Sequence, residues 1–320
     1  MDGFECANLV IEEVKKSVTG KDECIKKAFA TILAGGHILI EDVPGVGKTT
    51  LAMAFSTAIG LKNHRVQFTP DLMPADILGF TMYDKNTGLF SYKPGTIMCN
   101  LFLADEINRT SPKTQSALLE VMEEAVVTVD GVRHPLPSPF IVIATQNPKG
   151  SAGTQLLPES QLDRFMISLS MGYPDLKSEI AIAKGKSNKS AIASLQKVID
   201  GAILGQLQEM VEEVYVHDSI YHYITELVQA TRENPYVELG LSPRGTIATV
   251  RLAKAWAFLQ GRGYVTPEDV EDVFGDVGKH RLVLNTKARV TQITQAAVIE
   301  QVLSSVKQPT SYREKDKNRD

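Results

Sequence analysis

A glycine-rich stretch at positions 41–50 contains the residues whose types and spacing most clearly indicate chemistry. It follows the apolar run 37–40, short enough for a buried strand, and leads into a predicted helix that ends near Gly60. Glycines let the backbone curl so that several N–H groups face one anion, and the helix N-terminus adds positive potential there. The pattern therefore predicts a phosphate-binding loop. Its binding residues are predicted to be Pro44, Gly45, Val46, Gly47, Lys48, Thr49 and Thr50.

Two side chains of this loop are candidates for contacts with a nucleotide. Lys48 would bring a full positive charge to the β- and γ-phosphates, and Thr49 would offer a hydroxyl ligand to Mg²⁺. The general motif G-x-x-x-x-G-K-[ST] would begin with glycine at position 42, where the chain has Asp42. A glycine-rich turn with a surface lysine is the alternative, and the flanking strand and helix argue against it.

Two consecutive carboxylates follow a second apolar run. Residues 101–104 are predicted to form a buried strand that delivers Asp105 and Glu106 at its C-terminal end, which is where open parallel sheets bind ligands. Asp105 would hold Mg²⁺ through water, and Glu106 would orient and polarise the attacking water. An exposed acidic pair is the alternative, and the Lys48–Thr49 pair upstream favours the nucleotide site.

Three further polar residues are candidates for the same site. Asn147 follows the predicted strand 140–144, Arg164 precedes the predicted strand 166–170, and Arg244 lies in the first turn of a predicted helix. Asn147 could sense the γ-phosphate or the attacking water, or it could be part of an ordinary Asn-Pro turn. Arg164 could form a salt bridge or act as an arginine finger in another subunit. Arg244 could be solvated, but its cation at a helix N-terminus is unfavourable and suggests a use.

The chain changes character after Tyr173. Strand and helix signals alternate before it, and helical periods with capping residues dominate after it. The sequence predicts an α/β domain over 1–173 with inserted β-hairpins at about 80–94 and 126–136, a helical domain over 174–305, and a polar, disordered tail over 306–320.

The composition of the chain limits the classes of protein to which it can belong. The 320 residues are 43% hydrophobic and carry a net charge of −4, so charge gives nucleic acid no support as the main partner. Cys6, Cys24 and Cys99 are scattered without metal-ligand spacing, which favours a reducing cytosol. The first five residues lack the order of a signal peptide, and no apolar run has membrane-spanning length. A soluble, cytoplasmic protein without membrane insertion is expected.

Five segments together resemble the MoxR family of AAA+ ATPases. They are PGVGKT (44–49), LFLADEINR (101–109), ATQNP (144–148), LPESQLDRF (157–165) and LSPR (241–244). The likeness runs in order over residues 8–300, and the fourth segment following QNP is the most specific. The resemblance implies an α/β P-loop domain, with a five-stranded parallel sheet flanked by helices, followed by an all-helical lid domain.

The resemblance also implies roles for matching positions. Lys48 and Thr49 would be the Walker A pair, and Asp105 and Glu106 the Walker B pair. Asn147 would be sensor 1, Arg164 the finger that acts on the neighbouring subunit, and Arg244 sensor 2 from the lid. The segment Val18, Thr19, Gly20 would approach the adenine. Asp42 departs from the P-loop pattern, so the resemblance does not predict the conformation of the first turn of the loop.

The family further implies ATP and Mg²⁺ as ligands and a homo-hexameric ring that remodels other proteins. A von Willebrand factor A domain protein would be its partner, and metal-cofactor insertion or complex maturation its task. A nucleotide-dependent switch with slow hydrolysis and no mechanical work is the alternative, since phosphate loops serve both classes. A nucleic-acid motor is disfavoured by the charge and by the absence of a DNA-binding module.

Overall fold

A five-stranded parallel sheet organises the first part of the chain. The computed structural model describes residues 3–43, 45–86, 88–146, 157–173, 176, 179–180 and 188–309. In chain order this part comprises α1 (Gly3–Lys15), α2 (Asp22–Leu33), β1 (Ile38–Glu41), α3 (Lys48–Ala58), β2 (Asn63–Gln67), α4 (Pro74–Leu78), β3 (Gly79–Asp84), β4 (Leu89–Pro94), β5 (Leu101–Asp105), a 3-10 turn (Ile107–Arg109), α5 (Pro112–Glu124), β6 (Val126–Val129), β7 (Val132–Pro135), β8 (Ile141–Gln146), α6 (Glu159–Leu162) and β9 (Ile167–Leu169). The sheet has the order β2-β5-β8-β1-β9, with every neighbouring pair parallel.

The sheet is covered on both faces, as its apolar strands require. Every residue of β5 and β8 is buried, the pattern of strands inside a parallel sheet. One core lies between the sheet, α1–α3 and helices of the second part, and includes Phe29 stacked on Phe55 with ring centroids 5.9 Å apart. The other core lies beneath α4 and α5 and includes Phe68, Phe102 and Phe165. Because the strands are parallel, the polar residues that end β1, β5 and β8 meet at one edge of the sheet.

Two antiparallel hairpins project from this domain. β3 pairs with β4 and β6 pairs with β7, at the positions where the sequence predicts hairpins. Asp130 and Gly131 form the tip of the second hairpin, both with positive φ, as a two-residue turn of this kind requires. The hairpins contact each other through Tyr92 and His134, whose rings stack 3.8 Å apart.

The second part of the chain is mainly helical. It comprises α7 (Asn188–Ala193), α8 (Gly201–Glu212), α9 (Asp218–Glu233), β10 (Val237–Leu239), α10 (Pro243–Leu259), α11 (Pro267–Gly278), β11 (Val283–Leu284), α12 (Thr286–Val290) and α13 (Gln295–Ser305). The predicted α/β domain followed by a helical lid is confirmed. The lid is not entirely helical, however, because β10 and β11 pair antiparallel. Strands of three and two residues are too short to give a period, and their partners are far apart in sequence.

Helix α13 ends at Ser305, and most of the tail predicted to be disordered, 310–320, lies outside the described residues. Within the part of the chain that the structure describes, no helix is both long and apolar enough to cross a membrane.

His37 joins β1 to the neighbouring elements through both ring nitrogens. Its Nδ1 accepts a hydrogen bond from the backbone N–H of Val142 at 3.0 Å, and its Nε2 lies 2.9 Å from the carbonyl oxygen of Met122. The proton must therefore sit on Nε2 of a neutral ring. Burial lowers the pKa of His37 to about 4, and the positive charge of Arg251 acts in the same direction.

We expect His37 to make the protein less stable in acid. Between pH 6.5 and pH 4 the unfolded chain binds a proton that the folded state excludes, so the free energy of unfolding falls as the pH falls through this window. The loss should be about 2 kcal/mol between pH 7 and pH 5. Urea unfolding at both pH values should show a smaller pH effect for His37→Gln than for the wild type. The exposed His222→Gln is the control, and an equal pH effect in all three proteins would contradict the prediction.

Candidate active site

The phosphate-binding loop follows β1 and is shaped by its glycines. Gly45 and Gly47 have φ values of 90° and 100°, which are strained for any residue with a Cβ. Gly47 is also the N-cap of α3, so the first N–H groups of the helix are unpaired within it and are available to an anion. Val46 is half-buried against the core, and Pro44 lies outside the described residues.

Asp42 stands where the general motif has its first glycine, and the structure shows why a carboxylate fits there. Its φ is not positive, so this position needs no glycine. Its Oδ2 accepts hydrogen bonds from Ser170 Oγ at 3.0 Å and from the N–H of Gly172 at 2.7 Å, and its Oδ1 accepts one from the N–H of Val43 at 2.9 Å. Asp42 therefore fastens the start of the loop to the segment that follows β9.

Lys48, in the first turn of α3, is buried and bonded to the loop itself. Its Nζ donates to the carbonyl oxygen of Asp42 at 2.6 Å. Burial lowers the pKa of Lys48, and the carboxylates of Asp42, Asp105 and Glu106 oppose that shift. The ammonium thus sits among acidic groups in the loop, where it can also reach an anion held by the loop N–H groups.

A cavity of about 310 Å³ opens beside this loop; we refer to it as the phosphate cavity. It is lined by Gly45, Gly47, Lys48, Thr49, Thr50, Arg65, Gln67, Asp105, Glu106 and Thr145. The structure thus brings together the glycines, lysine, threonines and acidic pair that the sequence singles out. Their elements are far apart in sequence, and the parallel sheet places them at one edge.

Asp105 is held from two sides. Buried Thr145, on the neighbouring strand β8, donates its hydroxyl hydrogen to Oδ1 at 2.8 Å. Arg65, on β2, donates through Nε and Nη2 to Oδ2 at 2.8 and 2.6 Å. The carboxylate is therefore fixed in orientation and partly neutralised.

Glu106 has a left-handed backbone with φ 55° and ψ 50°, a conformation that costs a non-glycine residue roughly 1–2 kcal/mol. Its N–H donates to Thr145 Oγ1 at 2.9 Å, and its Oε2 accepts hydrogen bonds from Gln67 Nε2 and Arg109 Nη1, each at 2.8 Å. The strained backbone turns the side chain into the phosphate cavity, and these contacts fix its position there.

The donor set fits a magnesium ion that is held together with a nucleotide. Mg²⁺ in such sites uses one or two carboxylates with phosphate oxygens and water, and it needs no all-protein cage. Thr49 and Asp105 supply one hydroxyl and one carboxylate to the phosphate cavity. No group of three or more His, Cys, Asp or Glu suited to a metal occurs among the described residues.

Arg164 and Arg244 lie together, but in a different cavity. This second cavity, of about 300 Å³, is lined by residues that include Arg164, Arg244, Arg251, Arg281, Glu123 and His37. We refer to it as the arginine cavity, and none of its lining residues lines the phosphate cavity. The carboxylate of Glu123 forms salt bridges with Arg244 and, at 3.5 Å, with Arg164. Arg164 Nε is buried and has no hydrogen-bond partner among the described residues.

The lid fixes the backbone on both sides of Arg164. Arg281, which is buried, donates to the carbonyl oxygens of Asp163, Phe165 and Met166 at 3.1, 2.7 and 3.0 Å. Its Nε also donates to Asp163 Oδ1 at 2.7 Å, while Ser242 Oγ donates to Asp163 Oδ2 at 2.8 Å. Ser242 is the N-cap of α10, so Asp163 links the segment that carries Arg164 to the helix that carries Arg244.

Val18 and Gly20, which the sequence predicts to approach the adenine, line neither of the two cavities. Val18 is buried in the core, and Gly20, with φ 71°, lies in the turn between α1 and α2. Asn147 lies outside the described residues. The roles assigned to these three positions stay predictions.

Sequence reasoning missed several residues that shape the two cavities. Arg65 and Gln67 alternate along β2 and therefore point to the same side, each toward one of the two carboxylates. The only sequence signal for them is this i, i+2 spacing on a strand that pairs with the apolar strand β5. That signal is weak, because exposed edge strands often carry polar residues at such spacing. Arg281 and Glu123 gave no signal, because the partners that tie them to this cavity, Asp163, Arg164 and Arg244, are more than 40 positions away from them.

The fold and the site define the class of protein. The chain has a parallel sheet, a P-loop after β1, an acidic pair at the end of β5 and a helical lid that follows in sequence. This is the arrangement of an AAA-type P-loop ATPase. Residues 37–167 match the family described as "ATPase family associated with various cellular activities (AAA)", and residues 229–302 match the AAA lid domain.

Similar proteins narrow the class further. The chain is 46% identical to the uncharacterized protein YeaC of Bacillus subtilis, over 93% of each chain. It is 39% identical to Chaperone MoxR1 of Mycobacterium tuberculosis, over 93% of this chain and 81% of that one. The crystal structure of a candidate ATPase from Cytophaga hutchinsonii superposes with a TM-score of 0.88 at 39% identity, over 96% of each chain. The protein belongs to the MoxR family of AAA+ ATPases and is an ATP-hydrolysing enzyme.

Proposed function

We propose that this protein is a ring-forming, Mg²⁺-dependent ATPase in which each active site is completed by arginines of the neighbouring subunit. One observation carries the proposal: Arg164 and Arg244 share a cavity that has no lining residue in common with the phosphate cavity of the same chain. Two arginines that lie outside their own phosphate cavity gain a use when a second subunit brings its phosphate cavity to them.

Within one subunit, the phosphate cavity supplies binding and water activation. The loop N–H groups and Lys48 hold the phosphates, and Thr49 and Asp105 would hold the Mg²⁺, which supplies positive charge to the phosphoryl group. Glu106 is the general base, because it is the carboxylate that the strained backbone turns into the cavity. Asn147 would help to position the attacking water.

Between subunits, the arginine cavity would stabilise the transition state. Charge that develops on the phosphoryl oxygens is best matched by guanidinium groups fixed in advance. Arg281 and Asp163 fix the backbone that carries Arg164, which keeps the reorganisation at the moment of reaction small. The salt bridges with Glu123 would be exchanged for the neighbour's phosphate on assembly.

The work done by the ring is proposed to be chaperone-like remodelling or maturation of partner proteins. A relative that is 39% identical is named Chaperone MoxR1, which supports this class of function. A hexamer, a von Willebrand factor A domain partner, metal-cofactor insertion and a cytoplasmic location are the finer parts of the proposal. The β3–β4 hairpin is a candidate contact for a client, since Leu89 and Phe90 are 66% and 75% exposed near its tip.

Sedimentation velocity tests whether the protein assembles into a ring. The Glu106→Gln protein should assemble from monomers to hexamers when ATP and Mg²⁺ are added together, and the wild type should turn over ATP under the same conditions. A protein that stays monomeric with ATP bound would contradict the proposal and favour a nucleotide-dependent switch. A wild type that binds no ATP would contradict both.

A further inference from the structure

Arg65 projects from β2 into the phosphate cavity and holds the carboxylate of Asp105. Its Nε–H and Nη2–H groups both donate to Oδ2, at 2.8 and 2.6 Å. The arginine side chain is 51% exposed, whereas the aspartate side chain is only 9% exposed. A cation that solvent can reach therefore covers one oxygen of a buried anion.

The two contacts of Asp105 differ in kind. Thr145 donates to Oδ1 at 2.8 Å from inside the sheet, and it is fully buried. Its contact can persist whatever happens at the mouth of the cavity. Arg65 approaches Oδ2 from the edge strand of the sheet, where its long side chain has room to move into solvent. The contact with Arg65 is thus the one that a ligand can replace.

A divalent cation at this carboxylate would compete with the guanidinium. Mg²⁺ beside a nucleotide draws on one or two carboxylates, directly or through water. Oδ2 of Asp105 already accepts two charge-assisted hydrogen bonds from Arg65, and the guanidinium charge cancels much of the field that would attract a second cation. Binding of Mg²⁺ at Asp105 and pairing of Asp105 with Arg65 therefore weaken each other.

We propose that Arg65 is a built-in counter-cation that competes with Mg²⁺ for Asp105 and raises the Mg²⁺ concentration at which the nucleotide site is loaded. The inference rests on the proposed function, in which Asp105 is the carboxylate that faces Mg²⁺. Its consequence is that nucleotide alone leaves the pair between Arg65 and Asp105 in place, and Mg²⁺ breaks it.

A purely orienting role for Arg65 predicts the opposite sign. If the guanidinium only held Asp105 in the geometry that Mg²⁺ needs, its removal would weaken metal binding. If it competes, its removal strengthens metal binding. Because the side chain is half exposed on an edge strand, its replacement should leave the fold intact, and thermal unfolding of each variant checks this.

The test measures metal binding and does not depend on turnover. Wild-type protein and Arg65→Gln are saturated with a non-hydrolysable ATP analogue, and Mn²⁺ is added as a paramagnetic probe whose free fraction is read by EPR. Arg65→Gln should bind Mn²⁺ about five- to tenfold more tightly than the wild type. Displacement of the bound Mn²⁺ by Mg²⁺ shows that both ions use the same site.

Two further variants separate contact from general charge. Arg109→Gln removes the same charge, but Arg109 donates to Glu106 and not to Asp105; its effect on Mn²⁺ binding should stay below about twofold. Arg65→Lys keeps the charge and loses the planar pair of donors. Its affinity for Mn²⁺ should lie between those of the wild type and Arg65→Gln.

The outcomes are distinct. Mn²⁺ binding by Arg65→Gln that is equal to or weaker than that of the wild type would overturn the inference. Equal tightening in Arg109→Gln would overturn it as well, since the effect would then come from general charge. These results leave the proposed function standing as long as the analogue binds. A wild type that fails to bind the analogue would overturn the proposed function and the inference together.

Discussion

Replacing Glu106 with glutamine is expected to lower the turnover number for ATP by about 10²–10⁴-fold, the usual contribution of a general base, while ATP still binds. Glutamine keeps the size of the side chain and loses the ability to accept a proton from the attacking water. Binding depends on the loop around Gly45 and Gly47 and on Lys48, which the substitution leaves in place. The loss should therefore fall on the turnover number, with little change in the dissociation constant for ATP.

Steady-state phosphate release and equilibrium binding of a fluorescent ATP analogue measure the two quantities separately. Glu124→Gln is the matched control, since Glu124 is exposed at the end of α5 and forms no salt bridge among the described residues. It should behave as the wild type. Unchanged turnover in Glu106→Gln would assign the base elsewhere, and a loss of ATP binding would assign Glu106 to binding instead of catalysis.

The sheet and the P-loop could be predicted from sequence because local patterns encode them. Strands that are buried on both faces are continuous apolar runs, and the polar residues that follow 101–104 and 140–144 mark the edge of the sheet. The lysine and glycines of the loop stand within a few positions of each other. Such features need no knowledge of which segments meet in space.

Other features of the site depend on contacts between distant segments. The fit of Asp42 in the loop became clear only from its hydrogen bonds to Ser170 and Gly172. The pairing of Arg65 with Asp105 links two strands, and no local pattern specifies it. The pairing of β10 with β11 was not predicted for the same reason. The sequence shows which reactive groups are present. The tertiary contacts decide which of these groups neutralise one another.

In the arginine cavity, the pairing of the charged residues depends on contacts between distant segments. Arg164 and Arg244 are each ambiguous in the sequence, and the structure places both on the carboxylate of Glu123. Asp163 joins the segments that carry them, through Arg281 and Ser242. Asp163 thus links the segment of the α/β domain that carries Arg164 to the lid helix that carries Arg244.

Replacing Arg164 with alanine is expected to lower turnover by about 10³–10⁵-fold, the range for an arginine finger. The phosphate cavity of the same subunit is untouched, because Arg164 does not line it, so ATP should bind to the variant as it does to the wild type. Phosphate release and analogue binding measure the two effects. An unchanged melting temperature would show that the substitution leaves the fold intact.

A mixing experiment decides whether Arg164 acts on its own subunit or on a neighbour. Lys48→Ala subunits lack a working phosphate cavity but carry Arg164, and Arg164→Ala subunits have the reverse defect. In head-to-tail rings formed from equal amounts, about a quarter of the interfaces would join an intact cavity to an intact arginine, so activity should reappear on mixing. The double variant Lys48→Ala, Arg164→Ala mixed with Arg164→Ala is the control and should stay inactive. Co-assembled rings without recovered activity would place the action of Arg164 within its own subunit.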